Sequence, residues 1–199
     1  MIVNFDQIEI FSKHKKTLQE TSKNETGGIY MTMSQKKVVC FDDVKDAYVA
    51  DYSVSMHPSS TDALLQVGDN VYFIEFKDGF MSQRRIYEVW KKIYESLLLF
   101  CDITKLHISD TRRCMTYIFV YDEEDHPGGK NQSQPSEIKN LEQDEVQDSP
   151  SQRKIMVSIA DNISNRNADV FGLRAAFKGL YFRDVLTYDK KKFSDSLLV

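Results

Sequence analysis

Near the middle of the 199-residue chain, Asp62, Glu75 and Lys77 stand out against an apolar background. They belong to Ser60-Thr-Asp-Ala-Leu-Leu-Gln-Val-Gly-Asp-Asn-Val-Tyr-Phe-Ile-Glu-Phe-Lys77, in which the apolar runs Ala63–Val67 and Val71–Phe76 flank Gly68-Asp69-Asn70. That pattern predicts a β-hairpin whose second strand, apolar almost throughout, lies inside a sheet covered on both faces. Glu75 and Lys77 are two apart and share a strand face. A two-residue loop at Asp69-Asn70 sets Asp62 opposite Lys77, and one at Gly68-Asp69 sets it opposite Glu75. Either register gathers the three charges on one face, with opposed Cβ atoms about 5 Å apart. A three-residue loop sends Asp62 to the other face. Two carboxylates at the end of a buried sheet suit a hard cation such as Mg²⁺, which keeps several waters and accepts phosphate oxygens. The lysine can orient or activate a water, or neutralise charge building on a phosphate. The same three residues also make an ordinary cross-strand ion pair at a hairpin mouth.

Asp62, twelve intervening residues, then Glu75-Phe76-Lys77 at the end of an apolar strand resembles the motif of the PD-(D/E)xK nuclease superfamily. The resemblance implies a restriction-endonuclease-like core, with Asp62 and Glu75 as ligands of Mg²⁺ (or Mn²⁺) and Lys77 as the lysine that assists phosphodiester hydrolysis. It departs upstream, where Thr61 precedes the aspartate and the nearest proline is Pro58. Family members often take a third acidic ligand from an early helix, a place where Glu9 and Glu20 lie. Gln83-x-x-x-Tyr87, after the lysine strand, is similar to a motif of the RecB-like branch, where the glutamine usually falls further downstream.

A chain of this length fits one domain, 1–199, with enough core to dispense with disulfides. Cys40, Cys101 and Cys114 cannot all pair, none has CxxC spacing, and each sits in an apolar run. Buried free thiols in a reducing, cytoplasmic setting are expected. No apolar run approaches eighteen residues and no leader pattern is present, which argues against membrane insertion and secretion. The net charge of −4 is unevenly spread: of 30 acidic and 26 basic residues, nine and two lie in 121–148, leaving 21 and 24 elsewhere. The remainder is mildly basic and compatible with a phosphate ligand. Residues 122–153, rich in Glu, Asp, Gln, Ser and Pro, cannot bury enough surface to offset ordering and are expected to be a disordered acidic insertion.

Around the hairpin, a helix is expected over 5–22, short strands at Ile29–Met33 and Lys37–Phe41, and a helix from Asp42 or Asp43 to about Tyr52. His57 lies on the connector into the hairpin. Ser82 is a good N-cap for the clearest helix, with apolar residues at Ile86, Val89, Trp90, Ile93, Tyr94, Leu97, Leu98 and Cys101. Its polar side carries Arg84, Lys91 and a supporting Glu88–Lys92 pair. Gln83, Arg84 and Lys91 are the candidates to hold a nucleic-acid backbone; a solvated helix surface has the same composition. Cys114–Tyr121 reads as a further buried strand reached by a crossover, with Arg112-Arg113 at the sheet end away from the site. Ile155–Ala160 reads as a strand, Asn162–Asn167 as a loop, Val170–Phe177 as a helix, Leu180–Thr187 as a last strand, and Asp189–Leu198 as a lysine-rich tail or helix. Walker, GxGxxG, GxSxG and HExxH motifs are absent.

These features describe an α/β protein: a central mixed sheet built on the hairpin, with helices on both faces. With the resemblance, they imply a Mg²⁺-dependent phosphodiester hydrolase acting on DNA or RNA. The alternative is a catalytically inactive nuclease-fold protein that binds a partner, of the immunity-type or phage-related kind. In that case the three charges are salt-bridged or covered rather than open to solvent.

Overall fold

The apolar alternation over 63–77 becomes the expected hairpin, and the chain extends the sheet on either side of it. The computed structural model describes residues 3–24, 28–50, 52, 56–122 and 171–196. In chain order these form a 3-10 turn (Phe5–Gln7), α1 (Glu9–Lys13), β1 (Lys15–Thr17), α2 (Leu18–Thr21), β2 (Lys37–Cys40), α3 (Phe41–Ala50), β3 (Ala63–Val67) and β4 (Asn70–Lys77). There follow α4 (Gln83–Thr104), α5 (Ile108–Cys114), β5 (Met115–Tyr121), α6 (Leu173–Phe177), β6 (Asp184–Asp189) and α7 (Lys190–Ser196).

All six strands make one sheet in the order β1-β2-β3-β4-β5-β6. The first four run antiparallel to their neighbours, whereas β4, β5 and β6 are parallel, so the sheet is mixed. A parallel step needs a crossover, and α4 supplies the one from β4 to β5. Alternation of side chains divides the core in two. Val71 and Phe73 of β4 face a larger cluster with Phe11, Phe41, Val89 and Phe100, formed under α1, α3, α4, α5 and α6. Ile74 and Phe76 face a smaller one with Leu18 and Phe193, from α2 and α7. Every residue of β5 is buried, as a strand covered on both faces requires.

The large face is held by edge-to-face aromatic pairs. Phe73 meets Phe100 of α4 at 5.1 Å and Phe182 at 5.4 Å between ring centroids. Helix α4 begins where the sequence places it: the Ser82 hydroxyl accepts from the Arg85 N–H at 3.4 Å. Its buried side is Val89, Ile93, Ser96, Leu97 and Phe100. Tyr94 and Leu98, expected on the apolar stripe, are 39% and 63% exposed. The helix is therefore rotated so that polar Ser96 faces inward, which matters for the site.

Several boundaries differ from expectation. Residues 5–22 are not one helix: the chain leaves the helical region at His14 (φ −111°, ψ 52°), and Lys15–Thr17 pairs with β2 instead. A sheet edge in need of a partner outweighs helical tendency there, and Thr17 with Glu20 caps a new helix, α2. Ile29–Met33 is not a strand; among the described residues its strand-like pairing is a single bridge from Tyr30 to Lys23. Cys114 ends helix α5 rather than starting β5. The last strand is Asp184–Asp189, shifted towards the C-terminus, and the tail forms α7. The expected disordered insertion, apart from Asp122, lies outside the described residues, as do the expected strand Ile155–Ala160 and loop Asn162–Asn167. No disulfide joins the cysteines, and Cys40 and Cys114 are buried. Among the described residues no helix is long and apolar enough to cross a membrane.

Candidate functional site

The hairpin register decides where Asp62 goes. Ala63 pairs with Ile74 and Val67 with Asn70, so the loop is Gly68-Asp69 and the next position out sets Asp62 opposite Glu75. Gly68 takes φ +59°, which the first position of a II′-type loop demands and which glycine accepts without a Cβ penalty. Of the registers the sequence permits, this one places Asp62, Glu75 and Lys77 on the sheet face covered by α4, at the carboxyl end of β4.

Pairing between β3 and β4 stops at Ala63, and side chains take over the hydrogen bonding beyond it. Asp62 Oδ2 accepts the Phe76 N–H at 2.6 Å, replacing the ladder bond that β3 no longer provides. Thr61 Oγ1 donates to the Ile74 carbonyl at 2.8 Å, and the Thr61 N–H donates to Ser96 Oγ at 2.7 Å. Thr61 and Ser96 are fully buried. The segment leading into the hairpin is thus strapped to both β4 and α4, which fixes the Asp62 carboxylate.

Four charged groups meet there. Glu75 is completely buried; its Oε1 is ion-paired with Lys77 Nζ at 3.0 Å and accepts a hydrogen bond from Lys92 Nζ at 2.8 Å. Lys92 also reaches Asp62 Oδ1 at 3.3 Å and so bridges the two carboxylates. Glu75 Oε2 is buried with no hydrogen-bond partner among the described residues. Asp42, in the first turn of α3, adds a third carboxylate at the margin, hydrogen-bonded by the Ser60 hydroxyl.

Burial and mutual repulsion dominate the electrostatics. Desolvation, then the Glu75 charge, push the Asp62 carboxyl up to about 7, and the attraction of Lys92 does not cancel them. Burial and Glu75 also raise Asp42, against the Ser60 hydrogen bond. Burial works against the charged form of Lys92, but Glu75 and Asp62 outweigh it and hold the ammonium protonated far above the usual lysine range. The Tyr117 hydroxyl is raised well above the ordinary tyrosine value by burial and by the same two carboxylates. Perturbed groups converging at one place are a common mark of functional sites, although structural ion pairs also produce them.

The other sequence candidates lie apart from this cluster. Gln83, Arg84 and Lys91 are exposed on α4. Arg84 pairs with Glu88 at 3.4 Å and Lys91 with Glu95 at 3.8 Å. The expected Glu88–Lys92 pair does not form, because Lys92 turns inward to the Glu75 and Asp62 carboxylates. Glu9 pairs with Lys13 at 2.5 Å and Glu20 caps α2, so neither supplies a third acid. His57 faces Asp46 at 3.8 Å.

Sequence reasoning missed Lys92, Asp42 and Tyr117. Lys92 carried a signal: it lies between Val89 and Ser96 at three- and four-residue spacing, in line with the buried stripe.

Among the described residues, no group of three or more His, Cys, Asp or Glu side chains is disposed to hold a metal ion. Mg²⁺ is content with one or two carboxylates plus waters. The donor chemistry of Asp62 and Glu75 fits it, since both offer hard carboxylate oxygens. Lys92 now occupies the space between the two carboxylates. Comparisons against family models, curated proteins and solved structures found no match to this chain.

Proposed function

We propose that this protein is a Mg²⁺-dependent phosphodiester hydrolase acting on nucleic acid, with a restriction-endonuclease-like core. The observation that carries the reading is the convergence of Asp62, Glu75 and Lys77 on one face at the carboxyl end of a central strand. Ligand sites in open α/β sheets favour that end. The mixed sheet flanked by helices and the Asp62…Glu75-x-Lys77 spacing agree with the family resemblance.

Asp62 and Glu75 would hold the cation (Mn²⁺ serving as well). When bound, it would polarise a phosphate oxygen and acidify a water. The chain's own contribution is positional. The Phe76 N–H and the Thr61–Ser96 strap keep the Asp62 carboxylate aimed at Glu75. Lys77, held at 3.0 Å from Glu75 and about one-fifth exposed, can donate to a phosphoryl oxygen or orient the attacking water. Arg84, Lys91 and Gln83, exposed on α4, would meet the nucleic-acid backbone as hydrogen-bond donors.

One observation favours the second reading, an inactive nuclease-fold binding protein. Glu75 is fully buried and Lys92 already bridges both carboxylates, so most of the charge is satisfied without a ligand. A cleavage screen over single- and double-stranded DNA and RNA, with Mg²⁺, Mn²⁺ or EDTA, separates the two. Metal-dependent cleavage lost in both Glu75→Ala and Lys77→Ala supports the hydrolase. Wild-type protein that binds nucleic acid or a protein partner without cleaving supports the alternative.

A further inference from the structure

We propose that the Lys92 ammonium is an internal stand-in for the divalent cation: it closes the Asp62–Glu75 pair and must swing out before a metal enters. The inference rests on the metal-site reading above and adds a regulatory element to it. Among the described residues two lysines touch this cluster, and their roles differ. Lys77 Nζ is paired there only with Glu75, whereas Lys92 Nζ sits 2.8 Å from Glu75 Oε1 and 3.3 Å from Asp62 Oδ1. A cation sharing those oxygens at about 2.0–2.1 Å would occupy the same gap. Like charges at that separation repel, and the burial of Glu75 weakens the screening between them. The buried Glu75 Oε2, with no hydrogen-bond partner among the described residues, independently leaves the cluster one donor short even with Lys92 in place.

Lys92 also has somewhere to go. Its four-carbon stem projects from α4 with the side chain about 20% exposed, at the border between core and solvent. Glu88 lies one turn earlier on the same helix and is 55% exposed, paired among the described residues with Arg84 at 3.4 Å. Glutamate four residues before lysine is the favourable order for a helical pair. The swung-out ammonium therefore trades the buried Glu75 and half-buried Asp62 carboxylates for one exposed carboxylate. Metal affinity is set by this exchange, with Lys92 as the competitor.

The test is Mn²⁺ binding followed by calorimetry in wild type, Lys92→Gln, Lys92→Arg and Glu75→Gln. Lys92→Gln should bind Mn²⁺ at least ten-fold more tightly than wild type, Lys92→Arg no more tightly than wild type, and Glu75→Gln should lose the site. Equal affinity in wild type and Lys92→Gln, at a site that Glu75→Gln abolishes, overturns the competition while leaving the metal site standing. Absence of saturable binding in all four proteins overturns both. Should Lys92→Gln not fold, amine acylation of wild type reports on Lys92 directly, read by mass spectrometry with and without saturating Mn²⁺. Several-fold faster modification of Lys92 with the metal supports the exchange; an unchanged rate overturns it.

Discussion

Lys92 of α4 and Glu75 of β4 meet at 2.8 Å, across the interface between the helix and the sheet. This contact makes the charged cluster a joint product of two elements, not a property of the hairpin alone. The carboxylates come from the turn register of β3 and β4, and the bridging ammonium from the rotation of α4. Disturbing either element should disturb the cluster.

The acidity of Asp62 gives the first prediction. Its folded-state pKa is raised from the ordinary aspartate value of 3.8 to about 7 by burial and by Glu75. A raised carboxyl favours folding while the group is protonated. The contribution is complete below the unfolded-state pKa and is lost as pH rises through about 7. Relative to Asp62→Asn, wild type should therefore lose up to about 4 kcal/mol of unfolding free energy between pH 4 and pH 7, at about 1.4 kcal/mol per pKa unit. Urea unfolding of both proteins across that range measures the gap. Parallel pH profiles would mean that Asp62 is not a raised carboxyl.

Ser96 gives the second. Its hydroxyl accepts the buried Thr61 N–H at 2.7 Å, the bond that straps the segment before Asp62 to α4. Ser96→Ala leaves that donor buried and unpaired and should cost about 1–3 kcal/mol. It should also weaken Mn²⁺ binding, because Asp62 loses its support. A variant of unchanged stability would show that the strap is dispensable.

The ion pair itself gives the third. Lys92→Met takes the ammonium from Asp62 and leaves Glu75 with Lys77 alone, and should destabilise by about 3–5 kcal/mol, as removal of one partner from a buried pair generally does. The double variant Lys92→Met/Glu75→Gln should recover part of that loss, since less uncompensated charge remains. A double-mutant cycle in urea reads the coupling. Strict additivity of the two changes would contradict a direct interaction.

The exposed basic residues of α4 give the fourth. Arg84 is 90% exposed at its side chain and Lys91 54%, each in a surface pair of small energetic weight. Arg84→Ala and Lys91→Ala should each leave stability within about 0.5 kcal/mol of wild type. Each should reduce the salt slope of nucleic-acid binding by about one phosphate contact. Fluorescence anisotropy at several salt concentrations tests this, and an unaltered slope removes the residue from the interface.

The hairpin, its two workable registers and helix α4 were legible because apolar periodicity and turn chemistry act locally. Val67-Gly68-Asp69-Asn70 carries its own turn, and Ser82 its own cap. What escaped was set by distant partners. Residues 15–17 became a strand because β2 offered them an edge. Lys92 read as a surface residue with a helical partner in Glu88, yet two carboxylates from other elements, Asp62 and the buried Glu75, took it inward. Asp42 read as a helix cap, and only the fold brought it beside Ser60. Tyr117 lay in an apolar run, and nothing local distinguished its hydroxyl from those of other core tyrosines.

The most direct test of the hydrolase is single-turnover cleavage of labelled DNA and RNA by wild type, Asp62→Asn, Glu75→Gln and Lys77→Met, in Mg²⁺ and in EDTA. Wild type should cleave at least one substrate only with the metal, and each substitution should slow cleavage by a factor on the order of 100 or more, as loss of a group acting in the transition state does. Cleavage that persists in EDTA, or at wild-type rate in Glu75→Gln and Lys77→Met, would contradict the assignment of chemistry to this cluster.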